Sequence, residues 1–160
     1  MRKANISEIS EDRTDSPAGK FCTIDRDLNA AVGSDFRSMD LMKRWPFAVE
    51  LTRIPAGKAN YPFHSHANQF EFYLIVSGTA TVRDQNGETE VIAGDFFMFS
   101  PGEPHQIINR GADDVTYYCV ADNPLSDHVY YPDSDKWGMR TPAKRGVIKG
   151  ESVDYYLGEE

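Results

Sequence analysis

Between residues 46 and 121 closely spaced turn signals cut the chain into short β-type runs, and no stretch carries the 3.6-residue period of a long amphipathic helix. "FAVELTRI" gives way to the turn-rich "PAGKANYP". "FEFYLIVS" and "TATVRD" are separated by Gly78, and "QNG" marks a tight turn before "ETEVI". "AGD" precedes "FFMFSPGEPHQIIN", and "RGADD" leads into "VTYYCVA". A parallel α/β sheet needs helical crossovers that this pattern lacks. The spacing therefore predicts an all-β barrel or double-sheet sandwich.

The flanks read differently. Residues 1–45 form an N-terminal arm, polar and partly flexible, with room for a first strand or a helical turn. Residues 46–121 are the β-barrel core. Residues 122–160, rich in Tyr, Pro and charge, read as an extension that wraps the outside of the barrel. The 160 residues suit one domain with one core.

Charge and cysteine content narrow the function. A formal net charge of -8 argues against a nucleic-acid face, which needs clustered Lys and Arg. No apolar run reaches membrane-spanning length, and the first residues lack the apolar stretch of a secretory signal. Cys22 and Cys119 read as free structural thiols, which fits a reducing cytoplasm. The expected partner is a small molecule, with neither nucleic acid nor membrane. Exposed strand edges and the arm point to a homodimer.

Of four histidines, three fall in two short segments. His64 and His66 stand at i and i+2, so on a strand their side chains leave the same face. Glu71 follows a four-residue turn, Ala67 to Phe70, short enough to return the chain antiparallel and set the carboxylate opposite the pair. His105 arrives on a later strand, after a loop shaped by Pro101, Gly102 and Pro104. A single histidine at a strand end is usually a satisfied polar residue. Three imidazoles and a carboxylate together form a mixed N/O set suited to a borderline divalent ion such as Zn, Fe, Mn or Ni, with Co and Cu also compatible. Such a site carries about one positive charge and, around an octahedral ion, leaves two positions open for water, substrate or dioxygen.

Alternation carries the reading outward. With Glu71 inward, Tyr73 and Ile75 share its face, while Phe72, Leu74 and Val76 face away. Tyr73 is the candidate catalytic residue, as a substrate hydrogen-bonding group or an acid, against the commoner role of barrel lining. With His105 inward, so are Ile107 and Asn109, the latter bracing a ligand or capping a turn. Phe97 and Phe99 belong to core or pocket wall. Arg53 and Lys58 are the cations nearest the first motif, and Arg53 is as readily outward and solvated. His128 lies outside both segments and reads as surface or packing.

These residues resemble the two motifs of the cupin superfamily. The first appears as Gly57, His64-Ser65-His66, Glu71 and Gly78, with its first spacing one residue longer than the common form. The second appears as Gly94, Asp95, Gly102, His105 and Asn109, with "SPG" where the family more often has Pro-x-Gly. The resemblance covers roughly residues 46–121. It implies an antiparallel double-stranded β-helix of jelly-roll type and one divalent metal held by His64, His66, Glu71 and His105. "YYPDSDK" and "VDYYLGE" in the tail are similar to small single-domain bacterial cupins labelled sugar-phosphate isomerase-like. The implied function is a metal-dependent enzyme acting on a small, polar, carbohydrate-like substrate, as an isomerase. A non-haem metal dioxygenase, a non-enzymatic ligand-binding cupin and a purely structural metal clamp use the same ligands. The residues name no general base.

Overall fold

The computed structural model describes residues 1–35, 38, 40, 42–140 and 145–159. Among the described residues, a 3-10 turn (Ile6–Glu8), thirteen strands and one short α-helix form. The arm contributes β1 (Asp12–Asp15), β2 (Cys22–Asp27) and α1 (Leu28–Ala31). The centre holds β3 (Phe47–Ile54), β4 (Ser65–His66), β5 (Glu71–Ser77), β6 (Thr79–Asp84), β7 (Gly87–Ile92), β8 (Phe96–Phe99), β9 (Gln106–Ile108) and β10 (Val115–Asp122). The last segment adds β11 (Asp127–Tyr131), β12 (Lys136–Arg140) and β13 (Arg145–Ile148).

These strands make three antiparallel sheets, ordered β1-β2-β3-β10-β5-β8, β13-β12-β11-β4 and β7-β6-β9. The fold is all-β, as the spacing predicts, and it is the double-stranded β-helix that the resemblance implies. Alternation along β5 buries Tyr73 and Ile75, while Val76 is exposed. Ile54, Ile107 and Val115 are fully buried and join them in one core cluster. Burying each such side chain contributes roughly 1.5–3 kcal/mol.

Gly78 makes the β5–β6 connection. Its φ is +83°, and a Cβ there would stand 2.6 Å from Asp114 O, so no other residue fits without backbone movement.

The arm holds the strand expected of it: β2 pairs with β3 and β1 with β2, and the Arg26 guanidinium donates to Ile6 O and Glu11. Two other features differ from the expectation. The segment 67–70 does not fold β4 back onto β5. Instead β4 pairs with β11, while β5 pairs with β10 and β8. A two-residue strand must satisfy its backbone on whatever neighbour the fold supplies, and that neighbour comes from the C-terminal extension. For the same reason Asp127–Arg140 is not an outer wrap. Its hairpin, turned through Asp135 at φ +47°, is a wall of the barrel.

Candidate metal centre

Each histidine is oriented by its Nδ1. His64 sits in an antiparallel bridge with His105, and its Nδ1 donates to Pro62 O at 2.8 Å. His66, on β4, donates from Nδ1 to Asp127 Oδ2 at 2.5 Å. His105 directs Nδ1 toward Glu103 O at 3.1 Å, and its ring lies flat on Phe99, centroids 4.1 Å apart and 4° from parallel. Carbonyls and an ionised carboxylate only accept, so all three Nδ1 atoms carry the proton. The three Nε2 lone pairs are then left for another partner.

Those lone pairs turn toward Glu71. The ligand atoms of His64, His66 and Glu71 all lie within 4.8 Å of one another. His105 lies outside that trio but meets the same carboxylate, its Nε2 2.8 Å from Glu71 Oε2. His66 Nε2 is 3.6 Å from the other oxygen, Oε1. A lone pair and a carboxylate oxygen at 2.8 Å repel unless a proton or a cation lies with them. The donor set therefore fits a divalent ion: three neutral nitrogens and one carboxylate, with outer acceptors already in place.

Electrostatics agree. Burial, followed by the neighbouring His105, lowers the His64 pKa to about 4, so its imidazole is neutral near pH 7. Burial alone would raise Glu71; a proton on His105 Nε2 and positive charge on the histidines would outweigh it and bring the carboxyl to about 2, a role that a divalent ion would take over beside neutral imidazoles. Asp127 is likewise held below the usual range: burial opposes this, and the bond from His66 overrides it.

Tyr73 is almost fully buried, and its hydroxyl donates to Glu71 Oε2 at 3.0 Å. It braces the carboxylate from below. Asn109 is buried and spans a turn, donating to Ile54 O and Asp113 O and accepting from Gly111 N–H. Phe99 joins the core, with Phe97 partly buried against it. Arg53 pairs outward with Glu11 and Asp114, Lys58 donates to Gly19 O, and His128 is exposed.

A cavity of about 330 Å³ opens above the cluster, floored by His64, His66 and Glu71, with Glu50, Tyr131 and Arg140 on its walls. Sequence reasoning missed Glu50, Asp127 and Arg140. Glu50, on β3, stands opposite Asp27 on β2 and Cys119 on β10, and forms no hydrogen bond or ion pair among the described residues. Burial, then Asp25, Asp27 and Glu71, raise its carboxyl from the usual 4.5 to about 7. Its signal was present in "FAVELTRI", where a charged residue alternates onto the core face. For Asp127 and Arg140 the signal was "PDSD" between two aromatic-rich runs, a hairpin pattern.

A double-stranded β-helix with two histidines and a glutamate at the floor of its cavity, and a third histidine against that glutamate, defines a small β-barrel protein whose side chains could hold a metal ion. Residues 50–121 match the family model described as a cupin domain. A structure of a cupin-superfamily sugar phosphate isomerase from Silicibacter pomeroyi is similar over 96% of this chain and 97% of that one, with a TM-score of 0.78 and 22% identity. That likeness speaks for the fold. A predicted oxalate decarboxylase from Thermotoga maritima matches 75% of this chain and 97% of its own, with a TM-score of 0.60 and 25% identity. The oxalate-binding protein of Thermotoga maritima is 31% identical over 68 residues, 42% of this chain and 55% of that protein. The chain thus spans about half the length of that relative. No helix among the described residues is long and apolar enough to cross a membrane.

Proposed function

We propose that this protein is a metal-dependent enzyme that moves a proton on a small, polar, carbohydrate-like substrate, with His64, His66, Glu71 and His105 as the metal ligands. One observation carries the reading: three imidazoles with protonated, occupied Nδ1 atoms turn their remaining lone pairs toward one carboxylate. A bound divalent ion would supply Lewis acidity toward a substrate carbonyl or hydroxyl.

The chain's own residues do the rest. Tyr73, which is not part of the cavity lining, acts through Glu71, which its hydroxyl positions. Asp127 holds the His66 tautomer. Glu50 is the general base that the sequence left unnamed: a cavity-facing carboxylate without a hydrogen-bond or ion-pair partner among the described residues and with a pKa near the working range. In an aldose–ketose interconversion Glu50 would take the proton from one carbon and return it to the next, with no net oxidation. The Silicibacter pomeroyi sugar phosphate isomerase supports this choice of reaction by analogy of fold.

A ligand-binding protein without turnover is the second reading, favoured by the 31% identical stretch of the oxalate-binding protein. The proposal also includes a homodimer, supported by exposed Phe96, Met98 and Val76 on β8 and β5 beside a sheet edge, and a reducing compartment, supported by the free Cys22 and Cys119.

Metal analysis of protein purified without added metal tests the centre, with Glu71→Ala as control. One ion per chain is expected, lost in the variant. Incubation of the metal-loaded protein with sugar phosphates in D2O then separates the chemistries. Deuterium incorporation supports the isomerase, oxygen uptake would replace it with a dioxygenase, and binding without either would leave the ligand-binding role.

A further inference from the structure

Arg140 is out of place for a structural residue. It lies on β12 and lines the cavity, yet its Nε and Nη2 are buried without a hydrogen-bond partner among the described residues. Its nearest opposite charge is Asp127, directly across the β11–β12 ladder, with Oδ2 3.9 Å from Nη2. Neither oxygen of Asp127 is idle: Oδ2 accepts from His66 Nδ1 and Oδ1 from Asn68 N–H at 3.0 Å. Asp127 therefore offsets part of the charge of Arg140 without satisfying its N–H groups. A buried guanidinium in that state costs stability unless something else accepts from it.

The surroundings make the cost larger. On its other side Arg140 faces Arg145 in the β12–β13 register, and like charges directly opposite on a sheet oppose each other. Arg44 belongs to the same neighbourhood. Burial and then the charges of Arg140 and Arg145 lower its pKa, and its own guanidinium is committed to Asn123 and Pro124. Within a chain of net charge -8, arginines thus concentrate beside one wall of one cavity. Asp127 Oδ2 lies against His66 Nδ1 and 3.9 Å from Arg140 Nη2, and His66 and Arg140 both line the cavity, so a small molecule touching the floor also comes within reach of that wall.

We propose that Arg140 is the anion-holding residue of the cavity, and that the ligand is a small molecule bearing a carboxylate or phosphate group. The inference rests on reading the cavity as a substrate pocket over a metal centre, and deepens that reading by naming the substrate class. The planar fork of arginine suits both groups. The sugar phosphate isomerase of Silicibacter pomeroyi and the oxalate-binding protein of Thermotoga maritima are named for ligands that share this chemistry.

The test is isothermal titration of the full-length protein, its metal content measured in each sample, with oxalate, inorganic phosphate and uncharged erythritol. The wild type should bind at least one anion with 1:1 stoichiometry and should bind erythritol at least about tenfold more weakly. Binding of oxalate alone identifies a carboxylate ligand, and of phosphate alone a phosphate ester. Arg140→Gln should weaken the anion by about tenfold or more at unchanged metal content. Because Gln removes a charge beside buried Asp127, Arg140→Lys is the second variant. It keeps the charge and loses the fork, and should also bind the anion more weakly than wild type. If the wild type binds neither anion, or either folded variant binds it as tightly as wild type, the inference is overturned. Oxalate binding that survives both substitutions would belong to the metal ion and not to Arg140. Absence of metal from the wild type would instead sink the metal centre, while the phosphate titration would still judge Arg140.

Discussion

Glu50→Gln should stabilise the protein in alkaline solution and leave it unchanged in acid. The Glu50 carboxyl faces Asp25 and Asp27 on β2, Cys119 on β10 and Glu71 on β5, and has no hydrogen-bond donor among the described residues. Its pKa rises from 4.5 in the unfolded chain to about 7 in the folded one. At about 1.4 kcal/mol per pH unit, the ionised form is disfavoured by folding by roughly 3 kcal/mol. The sign follows from proton counting. Below pH 4.5 both states hold the proton and glutamine resembles the neutral acid. Between pH 4.5 and 7 the folded state binds more protons than the unfolded one, so wild-type stability falls as pH rises. Above pH 7 the full difference is present, and the variant escapes it. Thermal unfolding of chelator-treated wild type and variant from pH 4 to 9 reads this directly. The gap in Tm should grow from near zero to roughly 6–12 °C at this chain length. A gap independent of pH, or a variant less stable than wild type at pH 9, would refute the unpartnered, buried carboxylate.

Three further outcomes are expected. Asp127→Asn removes the charged acceptor that orients His66, and should lower metal affinity about 10- to 100-fold in competition with a chromophoric chelator, with little change in β-sheet circular dichroism. Gly78→Ala sets a Cβ against Asp114 O at positive φ, and should cost about 2 kcal/mol or more in urea unfolding. Stripping the metal should lower Tm by several degrees and make Tm depend on added metal, because an ion bound only by the folded state stabilises it by mass action. An unchanged Tm in the presence of chelator would argue that no ion binds.

The strands of the barrel and the inward faces of β5 and β9 were legible in the chain because their signals are local. Turn residues and alternation act over a few positions, and they place Tyr73, Ile75, Ile107 and Asn109 inside without any knowledge of the partner strand. His64, His66, Glu71 and His105 could likewise be picked out by residue type and spacing, the cupin resemblance adding the order of the two motifs.

The route by which they meet was not legible. Glu71 does not reach the histidines through the turn 67–70; it arrives on a different sheet from β4, and His64 meets His105 in a bridge between segments some forty residues apart. The local patterns around Glu50, Asp127 and Arg140 place them on strands but do not give them a role. What makes each of them matter is a neighbour from a distant segment: His66 for Asp127, Asp25 and Glu71 for Glu50, and Arg145 across a strand for Arg140. Local pattern determined which residues face inward. The pairing of distant strands decided which of them touch, which carboxylate is left without a donor, and which guanidinium is left without an acceptor, because hydrogen bonding and desolvation depend on distance in space and not along the chain.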